Sequence, residues 1–311
     1  MKKYFTVIFI AITLLVSNSC SSNTVKSDKI ENNNPQNTKE ITTKESNTKN
    51  SQKTTKPASE KMSEPQEHSM KKSSNHSVTK IATQAKLSTP ETIAANQSLN
   101  LSIDILDQTG KPVNKFDVFQ EKMMHLIVVS NDLEHFDHLH PEYKGNGRFQ
   151  VSTKFPNPGE YVLFSDYKPA GKAETVSLTN LKIPGNVPLP KSLAKYEKIK
   201  TISDTKINLK YSPEKIKAGK DVHLTFYIQD QDNQAVKDLK PYLGEKGHLV
   251  IIKSSSVLTE SDYIHAHAMK NSPDENIKFH TKFPQPGTYK MWMQFNRNGK
   301  IKTADFWVNV E

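Results

Sequence analysis

The sequence predicts an all-β protein in which two related β-sandwich domains follow an export signal and an unstructured tether. Three observations predict it: an apolar N-terminal run that ends at the only cysteine, a long polar stretch after it, and an internal repeat of about a hundred residues built from short alternating segments. Each is taken here in chain order.

Residues 1–20 read as a signal peptide, because Lys2 and Lys3 precede an apolar run from Tyr4 to Val16 and small polar residues then lead into Cys20. The run is 13 residues long, against the ~20 a helix needs to cross a bilayer. Cys20 therefore becomes the expected anchor. As the one cysteine it has no partner for an internal disulfide, and it stands where a bacterial lipoprotein is cleaved and acylated. Ser17, Asn18 and Ser19 replace the usual leucine-led box. The small-x-small pair Ser17 and Ser19 leaves ordinary signal peptidase, with a soluble product, as the alternative.

Residues 21–81 are Ser, Thr, Asn, Lys, Gln and Glu with almost no aromatic or branched apolar side chain. Such a segment buries too little surface to offset its ordering entropy and is expected to be disordered. A coil of roughly sixty residues reaches on the order of 45 Å, enough to hold folded domains clear of a membrane. Met62, His68, Met70 and His76 form a loose Met/His stretch within it. The formal net charge of +10 comes mostly from lysine spread along the chain. Without clustering among aromatic residues this is not a nucleic-acid stripe, and attraction to anionic lipid or wall polymer is the charge-based expectation.

The repeat sets the domains at 82–190 and 191–311. Met124-His125-Leu126 to Val129 in the first copy matches Gly247-His248-Leu249 to Ile252 in the second, and His138-Leu139-His140 matches His265-Ala266-His267. Lys154-Phe155-Pro156-Asn157-Pro158-Gly159-Glu160-Tyr161 then matches Lys282-Phe283-Pro284-Gln285-Pro286-Gly287-Thr288-Tyr289. Leu99 to Ile105 and Val222 to Ile228 alternate apolar and polar residues as half-buried strands do, and Asn157-Pro158-Gly159 and its counterpart are turns. Many short strands, turns between them and no amphipathic helix predict tandem immunoglobulin-like sandwiches. The Phe-Pro-x-Pro-Gly-x-Tyr segment is expected to be architectural, its prolines ending a ladder and its tyrosine packing inward.

With those motifs in place, the chain resembles bacterial secreted proteins and lipoproteins with YtkA-like, heavy-metal-associated domains. The resemblance rests on Met124-His125-Leu126, His138-Leu139-His140-Pro141 and Phe155 to Tyr161, and on Gly244 to Leu249 in the second copy, where Ala268 replaces the proline. It implies the immunoglobulin-like fold and heavy-metal binding.

Residues two apart on a strand share a face, so His138 with His140, and His265 with His267, each offer two imidazoles to one side. His125 or His248, 13 and 17 residues earlier, would complete a three-nitrogen site for copper or zinc in each domain. Glu142 and Met269, two beyond each pair, are candidate extra ligands. Asp137 is a candidate acceptor behind an imidazole. Met123, Met124, Met291 and Met293 read as core or surface residues, and His135, His223 and His280, which lack a partner at clamp spacing, as surface or strand residues.

No Gly-x-Ser-x-Gly elbow, cysteine nucleophile, phosphate-cradling glycine loop or His-Glu-x-x-His helix occurs, so binding rather than catalysis is expected. The leading expectation is an envelope lipoprotein, held to a membrane by its lipid, that binds copper or zinc through one shallow histidine site per domain and passes it to a metal-transport or envelope protein. The alternative is a structural or adhesive module that binds a protein or cell-wall partner, with the histidines serving the fold.

Overall fold

The computed structural model describes residues 82–189, 194–270, 272–273 and 275–311. The signal, Cys20 and the tether with its Met/His stretch lie outside the described residues.

In the first copy, β1 (Thr83–Ser88), β2 (Ser98–Asp107), β6 (Arg148–Lys154) and β5 (Glu142–Gly145) form one antiparallel sheet in that order. The facing sheet runs β4 (Phe136–Leu139), β3 (Met124–Ser130), β7 (Gly159–Tyr167) and β8 (Thr175–Ile183). The second copy repeats the plan. One sheet orders β15 (Asn276–Lys282), β11 (Asp221–Gln229), β10 (Thr205–Ser212) and β9 (Ile199–Ile202). The other joins the short β12 (Leu239–Lys240), β16 (Gly287–Arg297), β13 (Gly247–Lys253) and β14 (Tyr263–His267), with β17 (Lys300–Val310) also on β16. The chain is thus two tandem immunoglobulin-like β-sandwiches.

Alternation builds each core. On β2, Leu99, Leu101, Ile103 and Ile105 point inward to meet Met124, Leu126, Val128, Tyr161 and Leu163 from the facing sheet. The proline-glycine corner is architectural: the Tyr161 hydroxyl donates to the Asn157 carbonyl at 2.8 Å, and Tyr289 does the same to Gln285 at 2.8 Å. Gly159 and Gly287 enter their strands at φ +141° and +136°, a backbone that β-carbon-bearing residues rarely adopt.

β3, β7, β13 and β16 depart from simple alternation because they are buried on both faces. Their second face is a seam between the domains. Ile127, Val129, Val162 and Phe164 from the first pack with Val250, Ile252, Tyr263 and Trp292 from the second. Two stacked aromatic pairs cross it, Phe136 on Trp292 at 4.7 Å and Phe164 on Tyr263 at 5.1 Å between ring centroids. Phe136 and Tyr263 hold equivalent places in the repeat, as do Phe164 and Trp292. The seam is therefore pseudo-two-fold, each domain offering the same patch to the other as in an isologous dimer. The Lys290 ammonium adds a crossing bond to the Leu133 carbonyl at 2.8 Å.

Candidate metal centre

One end of this seam is polar, and there the histidines gather. Parity on β3 that sends Met124, Leu126 and Val128 into the core sends His125, Ile127 and Val129 to the seam. β13 places His248 with Val250 and Ile252 in the same way. Register does the rest: β4 sets His138 opposite Ile127, and β14 sets His265 opposite Val250 and His267 opposite His248. The rings of His125, His138, His248 and His265 converge from both domains, with centroids 5.2 to 6.3 Å apart for every pair. His140 joins them at 5.1 Å from His125, its Nε2 buried without a hydrogen-bond partner. Ligand nitrogens of His125, His138 and His140 lie within 4.8 Å of one another.

The surrounding acceptors fix the ring protons. The Nε2–H of His125 donates to the Phe119 carbonyl at 3.2 Å, which leaves Nδ1 with a lone pair. His138 donates from Nδ1 to Gln294 Oε1 at 2.8 Å, the amide being oriented by its own NH2 bond to Thr303, and so presents a lone pair at Nε2. Those two bare nitrogens face each other at 3.0 Å. The second domain repeats this: His248 Nε2–H donates to the Tyr242 carbonyl at 3.1 Å and His265 Nδ1–H to Asp166 Oδ2 at 3.0 Å, so His248 Nδ1 and His265 Nε2 meet as lone pairs at 3.4 Å. Two nitrogens about 2.05 Å from one tetrahedral ion stand roughly 3.3 Å apart.

Facing lone pairs at that range repel unless a proton or a cation lies between them. Burial disfavours the proton. Desolvation, reinforced by the neighbouring imidazoles, pushes His125 down to about 2 and His248 to about 3. It pushes His138 well below the usual histidine range and, with Lys122 nearby, His140 to about 4. The rings stay neutral, which is the form a metal requires.

This arrangement corrects one expectation: the two copies do not form separate shallow sites, because the seam gathers His125, His138 and His140 of the first copy with His248 and His265 of the second into one cluster. Glu142 is not in it. Pro141 ends β4 and the chain crosses to the other sheet, so alternation no longer applies and Glu142 is exposed beside Lys144 at 2.5 Å. Met269 lies past the end of β14, exposed, and His267 is exposed with its ring stacked on His265 and bonded to Gln120. Asp137 stands 3.2 Å from His135 rather than behind a cluster imidazole. Met124, Met291 and Met293 are core residues. His223 and His280, which have no partner at clamp spacing, lie on strands and stack on each other across β11 and β15 at 4.9 Å.

Sequence reasoning missed Asp166 and Gln294, which hold equivalent places in the repeat and orient the other domain's histidine. Each is a polar residue at a seam-facing position of a strand otherwise apolar on both sides. That was the available signal.

A family model, a domain of unknown function (DUF8832), matches the chain twice, over residues 79–182 and 200–311. The chain belongs to this family. The match is to this family and not to the YtkA-like group whose motifs the sequence resembles. No curated protein matches. Solved structures that do include the Escherichia coli adhesin FdeC, at 15% identity over 73% of this chain and 64% of that one with a TM-score of 0.24. The Yersinia pseudotuberculosis adhesin InvE is 10% identical over 73% and 59%, TM-score 0.22. Domains 4 and 5 of the S-layer protein SbsC are 12% identical over 73% and 97%, TM-score 0.21. The chain spans less than two thirds of either adhesin, and at these values nothing about activity passes to it.

Proposed function

We propose that the chain is an exported, lipid-anchored binding protein, not an enzyme, that takes a copper or zinc ion at the histidine cluster between its domains and exchanges it with an envelope partner. The observation that carries this is the pair of facing lone pairs, 3.0 Å apart in one domain and 3.4 Å in the other, each set by a carbonyl or carboxylate acceptor behind the ring. An all-imidazole donor set suits Cu(II) or Zn(II). No methionine sulfur is among the donors, so the set has nothing that favours Cu(I). Hydrogen-bonded partners behind ligand histidines are the usual accompaniment of a metal site.

A second reading has its own observation. His138 and His265 are bonded across an extensive apolar seam, which suits a structural or adhesive module whose histidines hold the domains together. Equilibrium dialysis of the full-length protein against Cu(II) and Zn(II) separates the two. Near-stoichiometric uptake, lost when His125 and His248 are both replaced by Gln in a protein that still folds, supports the metal reading. No uptake by the wild type supports the other.

A further inference from the structure

Asp166 is fully buried, and its negative charge is only half accounted for. Oδ2 accepts from the Tyr263 hydroxyl at 3.1 Å and from His265 Nδ1 at 3.0 Å, while Oδ1 is buried with no donor among the described residues other than the neighbouring Glu174 carboxyl when that is protonated. A buried carboxylate oxygen whose one candidate donor is another acid calls for an explanation, and an ordered water or a bound ion supplies one. Beside it comes a second carboxylate. Glu174, just ahead of β8, is exposed along its length, yet its carboxyl lies so that one donor atom each from Asp166, Glu174 and His265 falls within 4.8 Å of the others. Lys168, a cation whose charge reaches Glu174, is 3.6 Å from Asp117. Two carboxylates thus crowd together with too little positive charge between them.

We propose that Asp166, Glu174 and His265 hold a second divalent transition-metal ion, Zn(II) or Cu(II), adjacent to the histidine cluster, with the His265 ring shared between the two ions. Mixed carboxylate and imidazole donors suit these ions. His265 Nε2 faces His248 in the cluster, and Nδ1 faces Asp166. To serve both ions the ring gives up its Nδ1 proton to solvent. The second ion therefore enters with release of at least one proton. Sharing of the ring rests on the histidine cluster holding the first ion, whereas the carboxylate side rests on Asp166 and Glu174 themselves.

The test is a titration of the full-length protein with Zn(II), read by equilibrium dialysis, for wild type, Glu174→Gln and Asp166→Asn. Glu174 is exposed, so its variant folds. Two equivalents are expected for wild type and one for each variant. With Cu(II), the second equivalent is expected to add less than its share of EPR intensity in wild type, because ions joined by one imidazolate couple, and Glu174→Gln is expected to restore a simple one-ion spectrum. One equivalent in wild type, unchanged by Glu174→Gln, overturns the second site and leaves the histidine cluster standing. Two equivalents that persist in Glu174→Gln place the second ion elsewhere and also overturn it. No uptake at all removes both readings.

Discussion

On β7 the first domain sets Asp166 opposite His125, and on β16 the second sets Gln294 opposite His248. The two residues face across the seam to equivalent histidines, yet one brings a full charge and the other a neutral amide. A carboxylate behind an imidazole raises its basicity as a ligand more than an amide does, so the half of the cluster containing His265 is the stronger donor. The copies differ at the rim as well: Gln120 bonds His267, while its counterpart Leu243 offers no polar group to His140. Duplication supplied a symmetric seam, and these exchanges made its polar end unequal. Symmetric parts should respond alike to equivalent changes, and the unequal parts should not.

The largest effect is expected where the copies agree. Trp292→Ala and its equivalent Phe164→Ala each remove one member of a stacked pair and open the seam, at a cost of about 3–5 kcal/mol. The denaturant midpoint of the full-length protein measures both. Values that differ by more than about 2 kcal/mol would show that the seam is not energetically two-fold.

Acid should act on both copies too. His125, His138, His140 and His248 titrate lower in the folded protein than the ~6.5 of a free imidazole, so below that value the unfolded chain takes up protons that the native state refuses. Stability is full above pH 6.5 and falls with pH toward the folded values, about 4 for His140, 3 for His248 and 2 for His125. The slope approaches about 1.4 kcal/mol per pH unit for each buried ring. Chelator-treated protein is expected to lose stability steeply between pH 6.5 and 5, with bound Zn(II) opposing the loss. A flat profile would mean that the rings take up protons in the fold as readily as in the unfolded chain.

Much of this was legible in the sequence and the remainder was hidden for a physical reason. The repeat, the tyrosine corners and the pairing of His138 with His140 follow from period and spacing alone. The seam was also written there, in the unbroken apolar runs Leu126 to Val129, Val162 to Phe164 and Leu249 to Ile252, since a strand apolar on both faces must be covered twice. What local pattern does not specify is which surface supplies the second cover. That choice belongs to long-range packing, and it turns two clamps into one cluster and brings Asp166 to His265. Glu142 failed for a local reason: alternation holds only while the strand continues, and Pro141 ends it.

A smaller effect should expose the inequality directly. Asp166→Ala leaves two donors, the Tyr263 hydroxyl and the His265 Nδ1–H, without their acceptor, whereas Gln294→Ala leaves only that of His138. At about 1–3 kcal/mol per orphaned group, the Asp166 change is expected to cost about twice as much as the Gln294 change. Metal affinity should fall in the same order, by 10–100-fold for loss of a partner behind a ligand and more at Asp166 than at Gln294. Equal losses of metal affinity would mean the charge on Asp166 adds nothing to His265 as a ligand beyond what an amide gives His138.

The smallest expected effect concerns residues that spacing nominated and the fold set aside. Glu142 is exposed beside Lys144, and Met269 is exposed beyond the end of β14. A ligand's removal changes uptake, while a surface residue away from caps, cores and buried networks changes stability by no more than about 0.5 kcal/mol. Glu142→Gln and Met269→Leu should therefore leave both the metal stoichiometry and the denaturant midpoint where they were. A difference in metal preference between the copies would have required these two side chains, carboxylate in one domain and thioether in the other. With both outside the cluster, the inequalities left to act on a bound ion are those behind the rings and at the rim. Loss of uptake in Glu142→Gln would instead mean that β4 re-forms past Pro141 when the ion binds, drawing Glu142 back onto the histidine face.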